Sequence, residues 1–274
     1  RLEFFSESMS SEVTRQLELE NQLHRALKED QFRLHYQPLV NTAMEIIGVE
    51  ALIRWENPEL GLVAPAEFLD VLESSGQIVD VGGWVIETAL KQMTLWMDQG
   101  LVAEDFMLCI NISPRQFRDA HFADNIHRQL ARVKVPSQNI MMEVTEHNII
   151  HNLDDAILRM KELIHSGISF SLDDFGTGYS SLAHLKNLPV NHIKIDRSFV
   201  KDICDDPGDQ AMVASILALS KHLGLEVVAE GVEELDQFHL LKQYGCKIYQ
   251  GYYFSAPLSP DKMTEYLETK LPSE

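Results

Sequence analysis

Basic residues are scarce in this chain of 274 residues: 23 Lys and Arg stand against 42 Asp and Glu, a formal net charge of −19. Sequence-independent binding of DNA or RNA needs Lys and Arg to replace phosphate counterions, so this balance argues against a nucleic-acid polymer as partner. A small phosphorylated substrate stays compatible with it, provided metal ions supply the positive charge locally. For outward-facing carboxylates, solubility is explanation enough. Cysteine is also sparse. Cys109, Cys204 and Cys246 are far apart and show no paired spacing, which suggests neither a disulfide framework nor a zinc site and agrees with a reducing cytoplasm. No apolar run approaches the ~20 residues of a membrane span, no signal peptide is visible, and the 11 histidines include no H-E-x-x-H. The chain begins at Arg1 without Met, and we read it as a segment of a longer protein that could itself be membrane-anchored.

What is abundant is alternation. With 45% hydrophobic residues, the chain can fill one large core or two modest ones. Residues 11–30 carry Leu17, Leu19, Leu23 and Leu27 among many charges and read as an amphipathic lead-in helix. Eight strand-like runs follow at 32–39, 46–55, 107–113, 140–147, 168–174, 192–197, 225–231 and 248–254. From residue 55 onward, helical patterns lie between them at about 65–75, 80–99, 114–132, 152–166, 178–187, 208–223 and 233–244, with a last one at 260–270. Gly100, Gly167, Gly224 and Gly245 each follow a helical stretch and precede a strand, the place of a left-handed C-terminal cap. Strands alternating with helices imply a parallel sheet. Too few residues separate Val40 from Ile46 for a crossover, so the first two strands should pair antiparallel. The reading is an α/β fold, a modified TIM (β/α)8 barrel with its first strand antiparallel. The competing architecture is an open doubly wound sheet with one ligand crevice.

The ring is favoured by a beat of polar residues at strand ends: Glu50, Asn111, Glu143, Asp173-Asp174, Lys194, Glu230 and Gln250. They advance by roughly one strand–helix unit at a time, as a barrel does when most strands deliver a side chain to a common mouth. Carboxylates with amides and one amine are a ligand set for hard divalent cations beside a positioned ammonium. Glu50 in IIGVEALIRW, Asn111 in CINIS and Glu143 in IMMEVTEH each interrupt an apolar run that hosts a charge only at a cost. Glu50 alone would read as an ordinary partner of Arg54. Asp173-Asp174 precede FGTGYSS, and adjacent carboxylates become tolerable when cations lie between them. Lys194, alternating with Ile193 and Ile195, could orient or deprotonate water, or merely pair with Asp196 or Glu230. Glu230 ends an apolar strand and reads as a ligand, Glu233 as a helix-start carboxylate, and Gln250 as a supporting contact. Asp174-Phe175-Gly176 copies a kinase DFG, but no kinase glycine loop or H-R-D motif accompanies it. Together the residues describe a metal-dependent hydrolase.

The segments YQPLV at 36–40, EALIRW at 50–55, NISPRQF at 111–117, EVTEH at 143–147, DDFGTGYSSL at 173–182, IKIDRSFV at 193–200, AEGVE at 229–233 and QGYYFSAPL at 250–258 resemble the EAL-domain family of cyclic di-GMP phosphodiesterases. The likeness runs from about residue 20 to 270. It implies a TIM-like barrel with one reversed strand, residues 30–274, preceded by a linker and lead-in helix at 1–29. It implies hydrolysis of cyclic di-GMP to linear pGpG with two Mg²⁺ or Mn²⁺ ions. Glu50, Asn111, Glu143 and Asp173 correspond to ligands of the first metal, and Asp173, Asp174 and Glu230 to those of the second. Lys194 corresponds to the water-orienting residue, Gln37, Arg54 and Gln250 to substrate-side positions, and Leu52 and Pro257 to apolar neighbours of the bases. Glu146 corresponds to the glutamate that braces the DDFGTG loop, with Asp196 and Glu233 in support. The resemblance also implies a homodimer and an upstream GGDEF or sensor domain in the parent chain. Many relatives have lost catalytic residues and act as cyclic di-GMP receptors or interaction modules, and none of the motif residues is replaced here. Asp70 and Ser74, where the family more often has Pro and Glu, are expected to fall on an outer helix away from the chemistry.

Overall fold

The computed structural model describes residues 7–145, 153–176 and 185–270. Its sheet has nine strands: β1 (Phe32–Asn41), β2 (Ile46–Asn57), β3 (Gly61–Val63), β4 (Met107–Asn111), β5 (Ile140–Thr145), β6 (Ser169–Phe175), β7 (His192–Ile195), β8 (Glu226–Ala229) and β9 (Ile248–Tyr249). The order is β1-β9-β8-β7-β6-β5-β4-β2-β3, and β1 also pairs with β2, so eight strands close into a ring and β3 hangs outside it on β2. β1 is antiparallel to both of its neighbours, while β2 through β4–β9 run parallel. The short turn after Val40 dictates this, since a parallel return needs a crossover of a dozen residues or more. The ring and its reversed strand are therefore as expected from the sequence.

Several details differ. β3 is an additional strand, folded back on β2 with Trp55 opposite Val63. Helical residues 114–132 divide into Pro114–Arg118 and Phe122–Leu130, the first opened by a Ser113 side chain that accepts from the Gln116 N–H at 3.1 Å. The expected strand 248–254 stops after Tyr249, because a Cβ on Gly251 would lie 2.0 Å from the Val232 carbonyl oxygen and the chain must turn there. The four glycine caps hold: Gly224 has φ 72°, and Gly100, Gly167 and Gly245 share its left-handed backbone.

Alternation decides which side chains face helices and which face the barrel interior. Outward residues such as Tyr36, Trp55, Phe170 and Ile193 join one large core with the helices. Tyr36 packs edge-on against Trp96 at 4.9 Å, and the Trp96 indole N–H donates to Thr264 Oγ1 at 2.8 Å, tying helices Ile78–Asp98 and Pro260–Lys270 to β1. Helix Glu7–Lys28 seals against this core through Leu23 and Ala26, both fully buried. Inward residues Leu39, Cys109, Met141, Val228 and Ile248 form a separate apolar plug inside the ring. Above that plug, at the C-terminal ends of the parallel strands, lies the polar mouth. No helix among the described residues is long and apolar enough to cross a membrane.

Candidate active site

Lys194 on β7 is the hub. Its side chain is 1% exposed, and its Nζ lies 2.5 Å from Glu230, 2.8 Å from Glu143, 3.4 Å from Glu50 and 3.7 Å from Asp173. Four strands thus aim carboxylates at one ammonium. Strand register sets Asn111 opposite Glu143, while Asp173 is opposite Thr145, two residues further along β5. The Asn111 amide donates to Glu50 Oε1 at 2.5 Å, and the Gln250 amide donates to Glu50 Oε2 at 2.7 Å and to Gln37 Oε1 at 3.2 Å. Gln37 in turn donates to the Ser255 carbonyl at 3.1 Å. Glu50 is therefore held from both sides by amides on β4, and just past β9, before its own strand contributes anything.

Asp173 and Asp174 sit where the β6–β7 register slips, between Leu172 and Phe175. Such a slip re-aims neighbouring side chains. Asp174 takes a left-handed φ of 56°, and its N–H donates to Asp173 Oδ1 at 2.9 Å. Aspartate tolerates that conformation better than most residues. Gly176 follows with φ 100°, its Cα side pressed against Phe199, where a Cβ would come within 2.9 Å of the ring.

The electrostatics follow from crowding. Burial would raise Glu50, but Lys194 and the amides of Gln250 and Asn111 outweigh it and hold the carboxyl below its ordinary range. Glu143 is pushed well up, by burial first and by Glu50 next, against the pull of Lys194. Burial carries Glu230 up to about 8 despite Lys194. Asp174 is raised by burial and by neighbouring Asp173. Burial would lower Lys194, but Asp173, Glu143, Glu230 and Glu50 raise it well above an ordinary lysine, so the ammonium stays charged.

A hard divalent cation suits these residues on the chemistry of their donors. They offer oxygen ligands in excess of the one positive charge present, and Glu143 Oε1 is buried with no hydrogen-bond partner. Among the described residues, no three His, Cys, Asp or Glu side chains already stand as a ligand cage, because the carboxylates turn onto Lys194.

The remaining expected residues divide. Arg54 is half-buried and donates to the Ile53 carbonyl at 2.8 Å; burial lowers its pKa against the opposing pull of Tyr252 and Glu50. Pro257 lies at the β1 rim, where its carbonyl is 3.3 Å from His35 Nδ1. Leu52 lines a cavity of about 580 Å³ with Ile78, Val81 and Pro114, open to Asn111 and Asp174. Asp70 borders that same cavity, so this departure from the family pattern is nearer the site than its outer helix suggested. Asp196 is not paired with Lys194. It caps helix Arg197–Lys201, accepting from the Ser198 N–H at 3.0 Å. Glu233 is exposed and stands before helix Leu235–Gln243, with its N–H donating to Gln237. The structure does not bring its carboxylate into the cluster. Glu146, the loop from Thr177 onward and most of the expected helix 178–187 lie outside the described residues. Two inward residues passed over in the sequence, Ser171 and His192, lie two positions before Asp173 and Lys194 on the same strand faces.

A closed α/β barrel with one reversed strand, carrying an acidic, lysine-centred mouth at its C-terminal end, is the class of protein these features define. The EAL domain model matches residues 20–257, and the chain belongs to that family. It is 40% identical over 261 residues to the bifunctional diguanylate cyclase/cyclic di-GMP phosphodiesterase MucR of Pseudomonas aeruginosa, covering 95% of this chain and 38% of that protein. It is 37% identical over 254 residues to the cyclic di-GMP phosphodiesterase PdeR of Escherichia coli, covering 93% of this chain and 38% of that protein. The chain thus spans well under half the length of these relatives. The solved PaMucR phosphodiesterase in complex with c-di-GMP superposes with a TM-score of 0.86 at 40% identity, covering 90% of this chain and 99% of that one.

Proposed function

We propose that this chain hydrolyses one phosphodiester bond of cyclic di-GMP, giving linear pGpG, with two Mg²⁺ or Mn²⁺ ions. The observation that carries the reading is the mouth itself: Glu50, Glu143, Asp173 and Glu230 converge on a single buried ammonium, with Asn111 and Asp174 beside them. Glu50, Asn111, Glu143 and Asp173 would hold one ion, and Asp173, Asp174 and Glu230 the other. When bound, such ions neutralise phosphate charge and make water nucleophilic at neutral pH. Lys194, kept protonated by its carboxylates, acts as a donor that orients water and not as a base. Gln250 and Asn111 fix the orientation of Glu50, which keeps the ligand from swinging out of reach of the reacting phosphate. The guanidinium of Arg54 suits a phosphate oxygen. The apolar cavity beside Leu52 suits a planar base, and Gln37 on β1 and Pro257 beside His35 flank Leu52 on its other side.

The name of MucR and the c-di-GMP held by its solved structure support the substrate. By the same family likeness we assign Glu146 to bracing the metal loop, residues 1–29 to a linker, and a GGDEF or sensor domain to the parent chain, with a homodimer as the working unit. A second reading has one observation behind it: among the described residues, the carboxylates close on Lys194 without forming a ligand cage. A cyclic di-GMP receptor would do the same. Incubation of the purified chain with cyclic di-GMP and Mg²⁺ or Mn²⁺, with chromatography of the products, separates the two. Conversion to pGpG that EDTA abolishes is expected, and saturable binding without turnover at any metal concentration would establish the receptor instead.

A further inference from the structure

Neighbouring strands place Glu143, Ser171, His192 and Glu226 side by side: Glu143 is the register partner of Ser171, Ser171 of His192, and His192 of Glu226. All four share the inward strand face with Asp173, Lys194 or Glu230. In a barrel the strands tilt, so a row running across them also descends along the axis. This row leaves the mouth at Glu143 and ends at Glu226, whose side chain is 53% exposed.

Its members are unusually short of partners. Glu143 Oε1, Ser171 Oγ and His192 Nδ1 are buried and have no hydrogen-bond partner, and they occur on three consecutive strands. Ser171 is fully buried and Glu143 is 2% exposed. The two ends are tied elsewhere: Glu143 Oε2 accepts from Lys194 at 2.8 Å, and His192 Nε2 lies 3.2 Å from Glu226 Oε2. A carboxylate accepts, so Nε2 carries the proton and Nδ1 of the neutral ring is left an acceptor. Burial lowers the imidazole's affinity for a second proton, which agrees with that tautomer. Ser171 Oγ bonds neither Glu143 Oε1 on one side nor His192 Nδ1 on the other. Water supplies the missing partners, and a buried water with two to four polar partners is a stable element of a fold. The apolar plug of Leu39, Cys109, Met141, Val228 and Ile248 keeps the rest of the interior dry.

We infer that Glu143, Ser171, His192 and Glu226 form a hydrated seam through the barrel, a buried water site that joins the mouth to solvent at the opposite end. Ser171 and His192 act through it as positioning residues for Glu143. The seam stands without the hydrolase reading, and the positioning role rests only on the part of it that makes Glu143 a metal ligand.

A high-resolution crystal structure of the whole chain tests the first part. Ordered water within hydrogen-bond distance of Ser171 Oγ and either Glu143 Oε1 or His192 Nδ1 is expected, and a dry row in which Ser171 bonds directly to both neighbours would overturn it. Ser171→Ala tests the second part, read by Mn²⁺ affinity in calorimetry as well as by kcat and KM. Mn²⁺ affinity should weaken at least ~10-fold, as for other residues that orient a metal ligand. kcat should fall with KM unchanged, and Ser171→Thr, which restores the hydroxyl, should recover both quantities. Wild-type Mn²⁺ affinity in a folded Ser171→Ala protein would refute the positioning role. If the wild type binds Mn²⁺ but never turns over cyclic di-GMP, the affinity comparison still decides the positioning role while the hydrolase reading fails.

Discussion

Two regions inside one ring, a single layer of side chains apart, are built on opposite terms. The plug of Leu39, Cys109, Met141, Val228 and Ile248 is apolar and closely packed. The mouth above it buries Lys194 among four carboxylates. Both use the same strand alternation, since Cys109 and Asn111, Met141 and Glu143, and Val228 and Glu230 are each two residues apart on one strand face. Two residues along a strand therefore separate a layer that stabilises the barrel from one that strains it. Burying charges costs several kcal/mol each unless they are well paired, whereas the plug gains from every methylene it removes from water. The mouth is held open to chemistry by the plug's stability, and substitutions in the two layers should separate stability from turnover.

The largest contrast is expected from Asp173, which is assigned to both metals. Asp173→Ala should lower kcat by at least ~10²-fold, because a metal clamp supplies several kcal/mol to the transition state. Its urea midpoint should hold or rise in metal-free protein, since one of several repelling carboxylates is gone. A variant with near-normal rates and full metal content would remove the bridging assignment. In the plug the pattern reverses. Met141→Ala should cost about 2–5 kcal/mol in urea unfolding, as a cavity in a closely packed site does, with kcat unchanged at temperatures where the protein stays folded. A large loss of kcat with little loss of stability would show that the two layers are not separate.

The pH dependence sharpens the same comparison. Glu230 is raised to about 8 by burial, and its unfolded value is near 4.5. Between those values the metal-free native state holds a proton that the unfolded chain has lost, so stability present at acid pH falls as pH rises through that window. A divalent cation displaces that proton. The rise in Tm on adding Mg²⁺ should therefore be larger at pH 8 than at pH 6, and scanning calorimetry with and without metal at both values checks it. An equal rise at both would mean that Glu230 is not a ligand. A smaller effect is expected from Arg54→Ala, with KM up about tenfold and kcat near normal if the guanidinium holds substrate and not the transition state alone. The smallest belongs to Asp196→Ala, which loses a helix cap worth about 1 kcal/mol without touching Lys194.

Much of this was written in residue order. Strand ends could be found because polar residues interrupt apolar runs at Glu50, Asn111, Glu143 and Glu230, and the reversed first strand followed from the short turn after Val40. Glycine caps marked the helix ends for the same local reason. What escaped was set by contacts distant in sequence. Gly251 ends β9 because it meets Val232, and nothing in IYQGYYFS announces that neighbour. β3 is only three residues long and carries no clear alternation. Lys194 could be placed in the mouth, but its choice of Glu230 over Asp196 depends on strand register, as does the row from Glu143 to Glu226. Ser171 and His192 look ordinary until three strands are laid side by side.

The central claim is that the buried acid cluster is a site for divalent cations, with Lys194 its permanent charged hub. Calorimetric titration of Mn²⁺ into the metal-free chain, without substrate and in buffers of different ionisation enthalpy, addresses it most directly. Saturable binding with release of protons is expected, because Glu143 and Glu230 begin with raised affinity for them and must give them up to bind metal. Asp173→Asn should weaken that binding sharply. Absence of Mn²⁺ binding at millimolar concentration, or binding that Asp173→Asn leaves unchanged, would contradict the account.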